Sequence, residues 1–248
     1  MSVAKKLYGK MPDGREVYEY TIENINEVSI SIITYGATLN HIVCPDRNGE
    51  YADILAGFDS LEGHMENPGY YCGQTVGQYC NRICGGKFKV GENEYQVTPN
   101  ENGKTCLHGG GEYSHALWKG IIADDNKVEF SYTSPDGAEG FPGNVEAAVT
   151  FTLTDDNVIN IEYRAVSDKD TVINLTNHSY FNLGTVKNGD VLSHILTLDC
   201  DAYTPTDSNS IPTGEIRPVE GTAFDFRQGK PIGQDINSDD IQLTQCRG

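Results

Sequence analysis

The 248-residue chain predicts an all-β protein, a large antiparallel sandwich or barrel. Short segments of alternating apolar and polar residues recur along its length, turn-forming residues separate them, and no stretch sustains helical periodicity for more than a few turns. In order, Pro12-Asp13-Gly14 is a turn ahead of the strand-like Val17-Tyr18-Glu19-Tyr20-Thr21-Ile22. Val28-Ser29-Ile30-Ser31-Ile32 alternates with the period of two that a half-buried strand needs. Asp59-Ser60-Leu61-Glu62 has the form of an N-cap with a carboxylate three residues on, which predicts one short helix after Asp59. Phe88, Val90, Tyr95 and Val97 flank Gly91-Glu92-Asn93 as a hairpin. Val128-Glu129-Phe130-Ser131-Tyr132 runs into a turn at Ser134-Pro135-Asp136-Gly137. Residues 145–154 reach Asp155-Asp156-Asn157 and resume as Val158-Ile159-Asn160-Ile161-Glu162-Tyr163, a long hairpin. Ile195-Leu196-Thr197-Leu198 is a further strand. No repeat, low-complexity tract or Ser/Gly linker marks a boundary, so residues 1–248 are expected to form a single domain.

A hydrophobic content of 38% and an aromatic content of 9% of the chain are enough for a packed core. Eighteen Lys and Arg against 36 Asp and Glu give a net charge of -18, which repels phosphate backbones and anionic lipid. Nucleic acid and membrane surfaces are therefore excluded as partners, and a neutral small molecule is favoured. The sequence carries no mark of oligomeric state. Behind the two lysines of the N-terminus there is no apolar run, against a secretory signal, and nowhere are 18 apolar residues consecutive. Seven cysteines, at 44, 72, 80, 84, 106, 200 and 246, are odd in number and scattered. Cys80 and Cys84 are spaced C-x3-C with no second pair to complete a zinc site, so no metal is expected. They read as reduced thiols of a cytoplasmic protein.

Four clusters could carry chemistry. The densest is Asn174-Leu175-Thr176-Asn177-His178-Ser179-Tyr180-Phe181-Asn182-Leu183. A strand that only filled a core would not hold so many polar groups, because each buried one left unpaired costs roughly 1–3 kcal/mol. A polar strand edge with one solvated histidine explains the string equally well on composition alone. Asn81-Arg82-Ile83 is weak taken by itself, since most such arginines are surface residues. Leu107-His108-Gly109-Gly110-Gly111 is not a phosphate loop, having neither a following Gly-Lys-Ser/Thr nor a preceding βαβ unit. Asp136-Gly137-Ala138-Glu139-Gly140-Phe141-Pro142-Gly143 reads as a structural landmark, its glycines permitting backbone angles other residues avoid.

The ten-residue string resembles the signature of the aldose 1-epimerase (mutarotase) family at every position. The other clusters are similar to that family's Asn-Arg-Ile, Leu-His-Gly-Gly and Asp-Gly-Glu-Glu-Gly-Tyr-Pro-Gly segments, with Ala138 and Phe141 departing from the last. Segments 201–207 and 221–227 also match, so the resemblance covers essentially the whole chain. It implies a large antiparallel β-sandwich of the galactose mutarotase-like supersandwich type. It implies that His178 is the catalytic general acid and that Asn81, Arg82, His108 and Tyr180 contact substrate, His108 at the ring oxygen. Trp118 fits the family pattern as a core residue. The implied reaction interconverts the α and β anomers of a free hexose, glucose or galactose, with no cofactor. A histidine near pKa 6.5 is protonated roughly a quarter of the time at pH 7, which suits a group that gives a proton and takes it back.

In mutarotases the base is a glutamate near the C-terminus, preceded by an aspartate in a Gly-Tyr/Phe-Asp-His-Asn segment that binds sugar hydroxyls. This sequence finishes Gln242-Leu243-Thr244-Gln245-Cys246-Arg247-Gly248, with Gly248 matching the first residue of that segment. The resemblance therefore implies a C-terminally incomplete sandwich without the general base. Neither role transfers to Asp225 or Glu215, which match other parts of the pattern. Loss of one acid–base partner is expected to lower turnover on the order of 10²–10⁴-fold and to leave sheet edges unpaired. Two alternatives differ in chemistry: a hexose-6-phosphate mutarotase, which the acidity opposes, and a non-catalytic carbohydrate-binding sandwich, which the missing base would favour.

Overall fold

The computed structural model describes residues 1–184 and 189–246, and Gly248, where the sugar-binding segment was expected to begin, lies outside them. The chain divides into two compact units, Met1–Phe181 and Asn182–Gly248.

In the first unit, β1 (Ser2–Lys10), β2 (Glu16–Glu23), β3 (Ser29–Ile33), β4 (Thr38–Pro45) and β5 (Tyr51–Asp53) form a five-stranded antiparallel sheet in chain order. β6 (Leu55–Ala56) leads to α1 (Leu61–Glu66). The helix is capped by Ser60, whose Oγ accepts the Gly63 N–H at 3.1 Å, one residue beyond the predicted cap. Ser60 is better placed because its oxygen lies three residues before that orphan amide. Short elements follow: β7 (Thr75–Val76), β8 (Arg82–Ile83), the hairpin β9 (Lys87–Val90) and β10 (Asn93–Gln96), β11 (Cys106–Leu107) and α2 (Glu112–His115). β12 (Lys119–Asp124), β13 (Lys127–Ser134), β14 (Val145–Leu153) and β15 (Ile159–Ser167) then make a four-stranded antiparallel sheet. β16 (Thr176–Asn177) pairs with β7, and β17 (Tyr180–Phe181) pairs with β6.

The two large sheets share one core, which makes this unit the expected sandwich. Tyr20, Ile22, Ile30, Ile32 and Leu39 of the first sheet pack with Val128, Phe130, Val149, Phe151 and Leu153 of the second. Strand β14 shows why: Val145, Ala147, Val149, Phe151 and Leu153 are all buried, while the intervening residues are not. Period-two patterning puts every apolar side chain on one face. Burying each of the Val, Phe and Leu side chains stabilises by roughly 1.5–3 kcal/mol. Trp118 is also buried, donating its Nε1–H to the Tyr113 carbonyl at 2.9 Å, in the packing role expected of it.

A smaller cluster of Ile83, Val97, Cys106 and Phe141 sits under β8 and β11. The 136–143 turn closes it. Asp136 Oδ1 accepts the Gly143 N–H at 2.6 Å, and a β-carbon at Gly140 would stand 2.1 Å from the Gln96 carbonyl oxygen.

The second unit is built differently. β18 (Ile195–Leu196), β19 (Ala202–Tyr203), β20 (Arg217–Pro218) and β21 (Lys230–Pro231) form two two-stranded ladders, β18 with β21 and β19 with β20, and α3 (Ile241–Thr244) follows. The strand expected over 195–198 stops after two residues, because the Leu198 N–H turns to the Phe226 carbonyl. No helix among the described residues is long and apolar enough to cross a membrane.

Candidate active site

Two short ladders carry the predicted site residues. In the first, Arg82 lies opposite Leu107, so Asn81 and His108 meet just past its end. They clasp each other through the backbone: the His108 N–H donates to the Asn81 carbonyl at 2.9 Å, and the Asn81 N–H donates to His108 Nδ1 at 3.0 Å. Both residues hold left-handed backbone angles, φ 61° at Asn81 and 51° at His108. Such angles cost a non-glycine residue of order 1–3 kcal/mol and persist where the surroundings over-determine them. The next residue must be glycine, because a β-carbon at Gly109 would lie 2.3 Å from the Gln78 nitrogen and the Gly77 oxygen.

This clasp decides what His108 can do. An Nδ1 that accepts an amide proton leaves the ring's own proton on Nε2. Burial, the neighbouring His178 and the Arg82 charge together depress the His108 pKa to about 4. His108 is thus a neutral imidazole with a fixed Nε2–H donor.

The second ladder pairs Asn177 with Thr75. Immediately after it, the His178 N–H donates to the Gln74 carbonyl and the His178 carbonyl accepts the Gly73 N–H, both at 2.9 Å. The Asn177 amide donates to the Gly73 carbonyl at 2.8 Å and accepts the Ser179 N–H at 3.1 Å. Most of the polar crowding in the ten-residue string therefore fixes the chain path and presents one imidazole. The His178 ring stands edge-on to His108 with centroids 5.1 Å apart, 5.9 Å from Tyr71 and 5.1 Å from Tyr180. Burial lowers the His178 pKa, partly offset by its own carbonyl. Its protonated fraction at pH 7 is accordingly below the quarter expected from an unperturbed ring.

Arg82 is held by a residue that sequence patterns did not single out. Its Nε and one Nη donate to the two carboxylate oxygens of Glu101 at 2.7 and 2.9 Å, and the other Nη donates to Asn81 Oδ1 at 3.2 Å. The Glu101 carboxylate raises the guanidinium pKa further. Of the five guanidinium N–H groups, these bonds leave one on each Nη for a ligand. Tyr180 flanks the imidazoles, more exposed than they are, with its phenol pKa raised chiefly by burial.

His178, His108, Arg82, Asn81 and Tyr180 are thus linked through direct contacts, all within the first unit. Tyr71 and His115 join them unannounced. Tyr71 packs its ring 4.7 Å from His108, and His115 stacks on Tyr71 at 5.9 Å. Glu101 lies in a polar turn and Tyr71 in an irregular loop, so neither has a local pattern to betray it. The two carboxylates set aside earlier are occupied in the second unit. Asp225 is paired with Arg227 at 2.9 and 2.8 Å and held down to about 2 by that guanidinium, and Glu215 is paired with Arg217 at 2.9 and 2.8 Å. Among the described residues, no group of three His, Cys, Asp or Glu side chains converges as metal ligands.

The sequence profile described as Aldose 1-epimerase matches residues 18–246. The galactose mutarotase of Rattus norvegicus is 39% identical over 239 residues, covering 96% of this chain and 69% of that protein. The aldose 1-epimerase of Haemophilus influenzae is 40% identical over 237 residues, covering 94% of this chain and 68% of that protein. Among solved structures, galactose 1-epimerase from Lactobacillus acidophilus superposes with a TM-score of 0.87 at 30% identity, over 100% of this chain and 72% of that one.

Proposed function

Since the chain belongs to the aldose 1-epimerase family, we propose that it interconverts the α and β anomers of a free hexose, glucose or galactose, by opening and reclosing the sugar ring. The observation that carries this reading is the division of labour between the two imidazoles. His108 is locked as a neutral donor, whereas the His178 ring, 5.1 Å from it, makes no side-chain hydrogen bond among the described residues.

Opening breaks the bond between C1 and the ring oxygen, turns the C1 hydroxyl into a carbonyl, and needs a proton delivered to the ring oxygen. His178 in its charged form gives that proton and becomes neutral. The His108 Nε2–H donates to the same oxygen and stabilises the charge that grows on it as the bond lengthens. Arg82, clamped by Glu101, donates to sugar hydroxyls through its two remaining N–H groups. Rotation about C1–C2 then presents the other carbonyl face, and closure returns the ring-oxygen proton to His178. The proton on the C1 hydroxyl leaves to a base during opening and returns to the new C1 hydroxyl on closure. The family pattern gives that role to a glutamate that matches no residue of this sequence; Asp225 and Glu215 match other parts of that pattern, and their pairing with Arg227 and Arg217 gives no support for moving the role to them.

The depression of the His178 pKa by burial suits this cycle, because a weaker base is a stronger acid when charged. A free sugar fits the net charge of -18 better than a sugar phosphate. All seven cysteines are unpaired thiols, which supports a reducing compartment and hence the cytoplasm.

Polarimetry of freshly dissolved α-glucose tests the proposal. The chain should speed the approach to anomeric equilibrium over buffer, and His178→Asn should remove on the order of 10²–10⁴-fold of that acceleration. An Asn variant as fast as its parent would refute the role of His178.

A further inference from the structure

Behind the two imidazoles runs a column of rings. Tyr35 stacks on His115 with centroids 6.4 Å apart at 22°, and His115 stacks on Tyr71 at 5.9 Å and 15°. Tyr71 also meets His108 at 4.7 Å, edge-on, and His178 at 5.9 Å. Tyr71 is thus the one ring among the described residues in contact with both imidazoles and with the column. It is buried, and it sits in the left-handed region at φ 54°, directly before the Cys72-Gly73-Gln74 segment whose backbone anchors His178. Its hydroxyl makes no hydrogen bond among the described residues, so its contribution there is made by the ring. His115 is tied down in turn, its Nε2 lying 3.4 Å from the Pro68 carbonyl.

We propose that Tyr71 is a positioning residue for His108 and His178: backed by His115 and Tyr35, its ring fixes the angle between the two imidazoles and keeps water from the buried side of His178. This rests on the mutarotase reading for its effect on turnover, though not for its effect on the histidine itself. Two imidazoles with centroids 5.1 Å apart can slide or stack on each other. A third ring wedged against both removes that freedom at little entropic cost, since its own backbone is already fixed by the turn. The wedge also supplies part of the burial that lowers the His178 pKa. Among the described residues, the titratable rings in contact with His178 are His108, Tyr71 and Tyr180, and the charges of Arg82 and Glu101 act on His108.

Kinetics of mutarotation and NMR titration of labelled histidine, measured on the parent chain, Tyr71→Leu, Tyr71→Phe and His115→Leu, test the assignment. Tyr71→Leu should lower kcat about 10–100-fold while KM moves less than about threefold, because a misplaced acid harms the transition state more than binding. Its His178 signal should titrate at higher pH than in the parent, as water reaches the ring. Tyr71→Phe keeps the ring and should restore both readouts, kcat to within about threefold. A Leu variant with parental kcat and parental His178 titration overturns the inference, as does a Phe variant as impaired as Leu. If Tyr71→Leu loses its fold, seen by Trp118 fluorescence, His115→Leu decides: a fall in kcat of about 3–10-fold with the same upward titration supports the column, and parental values for both overturn it. The His178 titrations judge the wedge whether or not the parent chain turns over sugar, so its failure and that of the proposed function are distinguishable.

Discussion

The two units of the chain are stabilised by opposite means. Residues 1–181 bury a continuous apolar layer between two sheets, with Ile22, Ile30, Phe130, Phe151 and Leu153 all essentially inaccessible. The described residues of the second unit hold together through local polar devices: Asp207 accepting the amides of Asn209 and Ile211, Arg227 bracketed by Asp225 and Asp201, and Lys230 on Asp235. Leu183, Ile195 and Ile216 of this unit are each at least 66% exposed, while Val219 and Cys246 are buried. The candidate site residues all belong to the layered unit. A site that keeps Asn81, His108 and Tyr71 in left-handed backbone needs surroundings stiff enough to hold them there, and a sandwich core supplies that stiffness where a set of turns would not.

The contrast can be broken or sharpened by experiment. The largest expected effect is in the shared core, where Phe151→Ala should cost about 3–5 kcal/mol by opening a cavity that the two sheets cannot close. Chemical denaturation followed at Trp118, the sole tryptophan and a buried residue of the first unit, would measure it. Acid should come next. His64 and His108 both have pKa values depressed to about 4, chiefly by burial, so below about pH 6.5 the unfolded chain binds protons that the folded one refuses. The stability these neutral rings contribute is complete above that pH and is lost progressively as pH falls from 6.5 toward 4. The Trp118 melting temperature should fall over that window, at about 2–4 °C per kcal/mol lost for a domain of this size. A flat profile would show that neither ring is buried as described. The smallest effect belongs to the second unit: Ile216→Ser, at a position 75% exposed, should change stability by less than about 0.5 kcal/mol. A loss comparable to that of Phe151→Ala would mean that unit conceals a core of its own.

How far the sequence could be read follows the same division. Period-two patterning made β2, β3, β13, β14 and the hairpin of β9 and β10 legible, because one buried face imposes alternation. The ladders of the second unit are two residues long, too short for any period to register. At the site, His178 and His108 stand in dense, distinctive strings whose other members turn out to steer the backbone. Asn177 and Gly109 are examples, the first bonding Gly73 and the second making room for Gln78. Glu101, Tyr71 and His115 left no trace, since their importance arises only from contacts between segments far apart along the chain.

The clasp between residues 81 and 108 has a bearing on how this site could be altered. Many histidines owe their tautomer to a neighbouring side chain and lose it when that neighbour mutates. Here the partner of Nδ1 is a main-chain amide, which every amino acid except proline carries. Libraries that diversify position 81, among residues that tolerate its φ of 61°, should therefore inherit the same proton placement on the ring beside it, while losing the carboxamide that accepts from Arg82. The chemistry is written into the course of the loop, and the side chain above it is left for selection to vary.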